Sequence, residues 1–331
     1  VTISEADVAA MRGHALLGAD GDPVLDHVTL TGRSILLASV LAGHGLRRGD
    51  LVALLADQSV LVHEFLVGIR RAGLVLMVVD PTHSLEQNAF AINTAGAWVL
   101  VAGTAHGERA RALVPLTPYI TARYGLDGEL PEHRALPVAR SAAPVRLTEA
   151  GPAGTLHHVI GMSGRPLVLA LPDAVTDDQG GAHVRELLGD LVPDNSTVLA
   201  SSSPALSPVA ALLGTAVLAA GGAVTVPRRP TGVELLRTAF GVDATVLYLT
   251  AAVAAEVADL PQDRARRLTP AGLDVAVVEG DGLDADARAS LERLWGGAAR
   301  IVEPAYLDPA TLELAVIGAG IAPAVAEASS S

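Results

Sequence analysis

The sequence predicts an α/β protein built as two layered lobes, each a mostly parallel sheet covered by helices. Three observations predict it. Short runs apolar throughout, such as Leu51–Leu55 and Leu74–Val79, alternate with segments whose apolar residues recur at helical spacing. Strands buried on both faces between amphipathic helices make a parallel sheet covered on both sides. The alternation weakens over Pro115–Gly154, which is richer in Pro, Gly and Arg, and then resumes. With 331 residues, about two domains are expected. The expected lobes are 1–150 and 151–325, followed by a disordered tail, 326–331.

The elements follow in order. After a loose opening segment, Leu37, Val40 and Leu41 mark a helix within Gly32–His44, and Gly45 supplies a left-handed stop. Arg47-Arg48-Gly49-Asp50 is a turn and Leu51–Leu55 a strand. Ser59 opens the next helix, with Val62, Phe65, Leu66 and Ile69 on one face; Gly73 ends it before the strand Leu74–Val79. Ser84 and Gln87 form a capping box for a third helix, and Trp98–Val101 is the next strand. In the second lobe, strands are expected at Leu156–Ile160, Leu167–Leu171, Thr197–Ala200, Ala223–Val226, Thr245–Leu247, Leu273–Val278 and Arg300–Val302. Helices are expected at Gly180–Gly189, Pro208–Ala220, Thr231–Phe240, Ala251–Asp259 and Ala285–Trp295, the last capped by Asp284.

Composition removes several classes of chemistry. The 23 basic and 36 acidic residues give a net charge of −13, against a dedicated nucleic-acid binder. There is no cysteine, so thiolate catalysis and disulfides are excluded. All 23 basic residues are arginine. A Schiff-base, P-loop or adenylation lysine from this sequence is therefore impossible. Val1–Asp22 carries Glu5, Asp7 and Asp20 and does not read as a signal peptide. Val209–Val226 is apolar and of spanning length, but Gly221-Gly222 interrupts it and β-branched residues follow. A buried helix, a glycine turn and a strand are expected there, in a cytoplasmic protein with no membrane contact.

The stretch "GLRRGDLVALLADQSVLVHEFLVGIRRAGLVLMVVDP" carries Gly45, Gly49-Asp50, Val52, Ala72-Gly73 and Asp80-Pro81 in a fixed order of helix, turn, strand, helix and strand. This order resembles the N-terminal domain of the adenylate-forming superfamily: acyl-CoA synthetases, nonribosomal adenylation domains and luciferases. The segment "LLGTAVLAAGGAVTVPRRPTGVELLRTAFGVDATVLYLTAAVAAEV" resembles that family's stretch from the acyl-pocket helix to the following strand. The resemblance runs from roughly Leu30 to Tyr306 and implies the large two-lobed N-terminal domain of those enzymes.

The functional motifs that the resemblance implies are eroded. A Gly/Ser/Thr-rich phosphate loop ending in lysine corresponds to Gly161-Met162-Ser163-Gly164-Arg165-Pro166-Leu167. Gly164, Arg165 and Pro166 fit, but Leu167 stands at the lysine and the loop is several residues short. Ser163, Gly164 and Arg165 are thus a vestigial phosphate loop, with fewer donors for a triphosphate. Ser163 also falls short of a hydrolase nucleophile elbow, because Arg165 replaces the final glycine. No histidine precedes the acyl-pocket helix in Ser201–Leu206. The adenine-contacting loop corresponds to Glu279-Gly280-Asp281-Gly282, with two added carboxylates unfavourable beside a triphosphate. The "Y-G-x-T-E" motif corresponds to Tyr306-Leu307-Asp308-Pro309-Ala310, where only the tyrosine remains; Glu313 comes three residues late. The 25 residues after Tyr306 are too few for the family's small C-terminal domain.

Other patterns carry less. Val316-Ile317-Gly318-Ala319-Gly320-Ile321 resembles a dinucleotide fingerprint without room for its βαβ unit. His157 and His158 are adjacent, so on a strand they face opposite ways and are poor co-ligands. No metal site and no cofactor are expected. Arg228-Arg229 and Arg264, Arg266, Arg267 are read as solvated turns or a docking place for an acidic carrier protein.

These readings lead to an expected function. The chain would be a degenerate adenylate-forming homologue, a pseudoenzyme that has lost ATP-dependent adenylation. It would bind or scaffold in an acyl or amino-acid activation or biosynthetic pathway. One alternative is an ATP-independent enzyme working on an acyl substrate in the old pocket, with Glu279, Asp281, Asp308 or a histidine as acid or base. Another is an adenylation half-enzyme completed in trans. No catalytic residue is assigned. The pocket-lining candidates are Ser203, Ala205, Gly280, Asp281, Tyr306 and Asp308. Expected partners are an acyl or aryl small molecule and a carrier protein or partner enzyme.

Overall fold

The structure is a computed structural model that describes residues 13–143, 154–160, 166–172, 198–202, 207–279, 283–295 and 299–302. In chain order it begins with β1 (His14–Leu17), β2 (Pro23–Asp26), α1 (His27–Ala42), β3 (Leu51–Leu55), α2 (Val60–Arg71), β4 (Val75–Val78), α3 (Leu85–Ala95), β5 (Val99–Ala102) and α4 (Gly107–Leu113). Next come β6 (Ala122–Gly125), β7 (Arg134–Ala135), α5 (Leu136–Ser141), β8 (Gly154–Ile160), β9 (Pro166–Pro172), β10 (Val198–Ser202), α6 (Pro208–Ala219) and β11 (Ala223–Thr225). The last are α7 (Gly232–Gly241), β12 (Val246–Thr250), α8 (Ala251–Ala258), α9 (Gln262–Leu268), β13 (Val275–Glu279), α10 (Ala285–Trp295) and β14 (Arg300–Val302).

The strands form two seven-stranded sheets. One has the order β14-β13-β12-β10-β11-β1-β2, parallel except where β2 runs against β1. The other has the order β7-β6-β5-β3-β4-β8-β9, parallel except where β9 runs against β8. The mostly parallel α/β architecture expected from the sequence is present. Its central strands are apolar on both faces because both are covered: β5 is buried along its whole length, and β12 and β13 along all but their last residues.

Sheet membership does not divide at residue 150. The β1–β2 hairpin joins the strands of the second half, and β8 and β9 join those of the first. Two compact units result: 1–32 with 58–64 and 177–305, and 33–57 with 65–176 and 306–331. The described part of the opening segment, from residue 13, carries two four-residue strands. Their brevity hides the period-2 signal, since four residues hold only two alternations.

In the first unit, Leu247, Leu249, Ala276 and Val278 face Leu235 and Leu236 of α7, Val253 and Val257 of α8, and Leu291 and Trp295 of α10. Alternation along the strands turns Tyr248 the other way, toward Ser207 at the head of α6. In the second unit, Ala53, Leu55, Met77, Leu100 and Ala102 pack with Ala89 and Ile92 of α3 and Ala110 and Leu113 of α4. The capping box of α3 forms as its sequence demands, with Ser84 accepting from the Gln87 N–H and Gln87 accepting from the Ser84 N–H.

The membrane-length stretch resolves into α6 and β11, joined through Gly221 at φ +80°. Among the described residues, no helix is long and apolar enough to cross a membrane. Arg264, Arg266 and Arg267 lie not in turns but on α9, a short helix whose only buried residue is Ala265. With one apolar anchor, its periodicity was not readable. The expected helix Gly180–Gly189 lies outside the described residues.

Candidate functional site

The parallel strands of the first unit's sheet end on a common edge: β1 at Leu17, β11 at Thr225, β10 at Ser202, β12 at Thr250 and β13 at Glu279. Open parallel sheets bind their ligands beyond such carboxyl ends. Two arrangements occupy this edge.

The first is a chain of three polar side chains. Ser207 caps α6, its Oγ accepting from the Ala210 N–H at 3.0 Å. That oxygen lies 2.7 Å from the hydroxyl of Tyr248, which is fully buried on β12. Tyr248 in turn donates to the carboxylate of Glu279, the last residue of β13. Burial raises the Glu279 carboxyl above its ordinary value, against the opposing pull of the Ser207 and Tyr248 hydroxyls. A buried carboxyl held between two hydroxyls can accept or release a proton.

The second is a cavity of about 420 Å³ beyond β1 and β11, lined among others by Asp20, Asp22, Gln58, Ser59, Val226 and Arg228. Arg228 pairs with Asp20 across its rim, and both are largely exposed, so the pair is weak. Behind it, the Gln58 amide lies 3.4 Å from His63 Nε2. Desolvation lowers the His63 pKa to about 4. His63 is therefore a neutral core imidazole at physiological pH, and among the described residues no group of three or more His, Asp or Glu side chains is placed to hold a metal ion.

The residues singled out from sequence are Ser163, Gly164, Arg165, Ser203, Ala205, Gly280, Asp281, Tyr306 and Asp308, and all of them lie outside the described residues. The structure places their neighbours. Residues 161–165 connect β8 to its antiparallel partner β9, where Ile160 pairs with Pro166. Leu167 pairs with Val159 and so belongs to a strand. Residues 203–206 follow β10 and lead into Ser207, and 280–282 follow Glu279. His157 and His158 take successive positions on β8.

The Ser207–Tyr248–Glu279 chain escaped the motif reading. Ser207 before Pro208 announces a helix start, but its partners lie 41 and 72 positions away, and only the register of β12 and β13 brings them together.

Residues 25–143 match the AMP-binding enzyme family. The fold of the chain extends the likeness well beyond them. The amide bond synthetase McbA from Marinactinospora thermotolerans superposes with a TM-score of 0.72 at 21% identity, covering 89% of this chain and 58% of that one. The inhibitor-bound N-terminal domain of FACL13 from Mycobacterium tuberculosis gives 0.74 at 14% identity, covering 89% and 72%. ATP-bound MatB from Rhodopseudomonas palustris gives 0.70 at 19% identity, covering 88% and 57%. The chain thus has the fold of the N-terminal domain of adenylate-forming enzymes and spans less than two thirds of McbA. A search of curated proteins returns no match by sequence.

Proposed function

We propose that this adenylate-forming homologue has given up ATP-dependent adenylation and binds an acyl or aryl group at the carboxyl edge of its first unit. In this role it is a binding or scaffolding component of an acyl or amino-acid activation or biosynthetic pathway. The observation that carries the reading is Glu279. It sets a buried carboxylate at the head of the loop that the resemblance assigns to adenine. A carboxylate beside a triphosphate is repulsive without a compensating cation. The sequence supplies no lysine, and Leu167 stands where the phosphate-loop lysine would be. Adenylation relies on such groups to stabilise charge on the phosphorus and the leaving pyrophosphate.

Calorimetry with ATP and magnesium is the test, with no binding expected. A dissociation constant on the order of 1 μM, about −8 kcal/mol, overturns the reading. Acid-dependent pyrophosphate exchange overturns it equally, in favour of an adenylation half-enzyme. Bulky replacement of Ala205 or Gly280 is expected to remove small-molecule binding with little change in melting temperature. In a scaffold without a ligand those changes do nothing, and charge reversal at Arg228 or Arg229 weakens association with a carrier or partner protein.

The Glu279 environment also favours a second reading, an ATP-independent enzyme acting on an acyl substrate. A buried carboxyl with a raised pKa, linked to two hydroxyls, suits acid–base work. Turnover of a p-nitrophenyl ester that disappears in Glu279→Gln supports it; absence of turnover leaves the binding role.

A further inference from the structure

The sheet of the second unit reverses its strand order at one place. The chain runs from β3 to β4 on one side, then returns past β3 to β5 on the other. Open α/β sheets hold their ligands where the order turns back, beyond the carboxyl ends of the two strands. Here Leu55 of β3 pairs with Ala102 of β5. Asp57 follows β3 and His106 follows β5, and His106 Nε2 lies 2.8 Å from the Asp57 carboxylate. The loop that carries the imidazole is fixed. The Gly103 N–H donates to the Leu55 carbonyl at 2.9 Å, and the Thr104 N–H and hydroxyl each donate to Asp127 at 2.8 Å. Glycine suits position 103, because a Cβ there lies 3.4 Å from the Ala56 methyl.

A carboxylate only accepts hydrogen bonds, so Nε2 carries the ring proton and Nδ1 of the neutral imidazole presents a lone pair. No described residue bonds to Nδ1, and the side chain is 16% exposed, so water reaches it. We propose that His106, positioned by Asp57, is the catalytic base of an ester-hydrolysing site in the second unit. A water oxygen bonds to the ester carbonyl carbon while Nδ1 takes one of its protons. The carbon–oxygen bond to the alcohol then breaks, and that proton passes to the leaving oxygen. The acyl group departs as a carboxylic acid. Neighbouring charge selects the substrate. Asp80 follows β4 and Asp127 follows β6, Glu108 and Glu129 are exposed, and the Arg109 guanidinium donates to the His83 carbonyl at 2.7 Å. These carboxylates disfavour an anionic ester or a phosphate-bearing thioester. The substrate class is an ester without negative charge, and the site is independent of Glu279.

The experiment is hydrolysis of p-nitrophenyl acetate by the full chain, measured above the buffer rate. His106→Ala is expected to lower kcat about 100-fold, within the usual contribution of a positioned base. Free imidazole should restore part of that loss, which repair of a merely structural defect would not do. Asp57→Asn should lower kcat with KM unchanged, because an amide can also donate and so no longer dictates the tautomer. His14→Gln, which removes an exposed imidazole on β1, should keep the full rate. Methyl 4-acetoxybenzoate should be turned over faster than anionic 4-acetoxybenzoate, each relative to its own rate in buffer. Circular dichroism melts confirm that each variant is folded. No turnover above buffer, a rate unchanged in His106→Ala, a loss that imidazole does not restore, or preference for 4-acetoxybenzoate overturns the proposal. Turnover that vanishes in Glu279→Gln and persists in His106→Ala overturns it as well, in favour of acid–base work at Glu279.

Discussion

The imidazole of His63 occupies the space that a side chain on Gly214 would need. A Cβ built on Gly214 lies 2.7 Å from both Nδ1 and Cε1 of the ring. Gly214 is inside α6, where alanine ordinarily favours the helix by about 0.5–1 kcal/mol over glycine. Here the added methyl must displace a ring that is itself 1% exposed. Gly214→Ala is therefore expected to destabilise the protein by about 1–3 kcal/mol, the usual cost of overpacking. Urea denaturation checks it. The His63→Ala/Gly214→Ala double variant should lose less than the sum of the single changes, because removing the ring removes the clash.

Acid should expose the same ring. The His63 pKa falls from 6.5 to about 4 on folding because burial disfavours the imidazolium. Between those values the unfolded chain binds more protons than the folded one, so stability declines as pH drops from about 6.5 to about 4. The full loss amounts to roughly 3 kcal/mol. His63→Leu removes this titration, so its urea midpoint should change less between pH 7 and pH 5 than that of the parent chain. Equal changes in the two proteins would refute the assignment.

Glu279 predicts the opposite trend at higher pH. Its carboxyl is raised in the folded state, with burial the main cause. Folding therefore favours the protonated form, and stability declines as pH rises from the unfolded glutamate value through the folded one. Glu279→Gln cannot ionise. Its melting temperature relative to the parent chain should increase from pH 5 to pH 8, and a constant difference would show that the carboxyl titrates normally.

Local chemistry was legible where neighbouring residues settle it. The strand Leu51–Leu55 is identical in expectation and structure, and Ser84 with Gln87 announces a capping box that forms with both hydrogen bonds. The helix of α2 was readable from Val62, Phe65, Leu66 and Ile69, all buried. What the sequence hides is pairing over distance. Leu16 pairs with Val224 and Met77 with Leu156, so each sheet draws strands from both halves of the chain. No local period encodes that exchange. The same holds for the Ser207–Tyr248–Glu279 chain, which exists only because β12 and β13 lie in register. His63 and Glu64 stand as polar residues between Val62 and Phe65, yet both are buried.

The capping box gives a direct stability test. Ser84→Ala removes the acceptor for the Gln87 N–H and leaves that donor without its side-chain partner. A loss of about 1 kcal/mol is expected, within the usual range for N-cap serines. Hydrogen exchange at Gln87 should accelerate in step. Full retention of stability would mean that solvent replaces the cap without cost.

The apolar stretch Val209–Val226 yields the last test, because its length alone suits a membrane. In the structure it is a twelve-residue helix, a turn at Gly221 and a short strand. Leu213 and Val217 are fully buried, Val224 is buried on β11, and Ala220 is exposed at the helix end. A segment covered by its own protein tolerates charge only where it meets water. Leu213→Asp is therefore expected to cost more than about 4 kcal/mol, enough to prevent folding of a domain of ordinary stability. Ala220→Glu should cost no more than about 0.5 kcal/mol, as surface changes usually do. A lipid-embedded segment would reverse the practical outcome: the parent chain would need detergent for extraction, and Ala220→Glu would impair its insertion. Recovery of the parent chain and Ala220→Glu without detergent, with Leu213→Asp aggregated, is the result the packing of α6 requires.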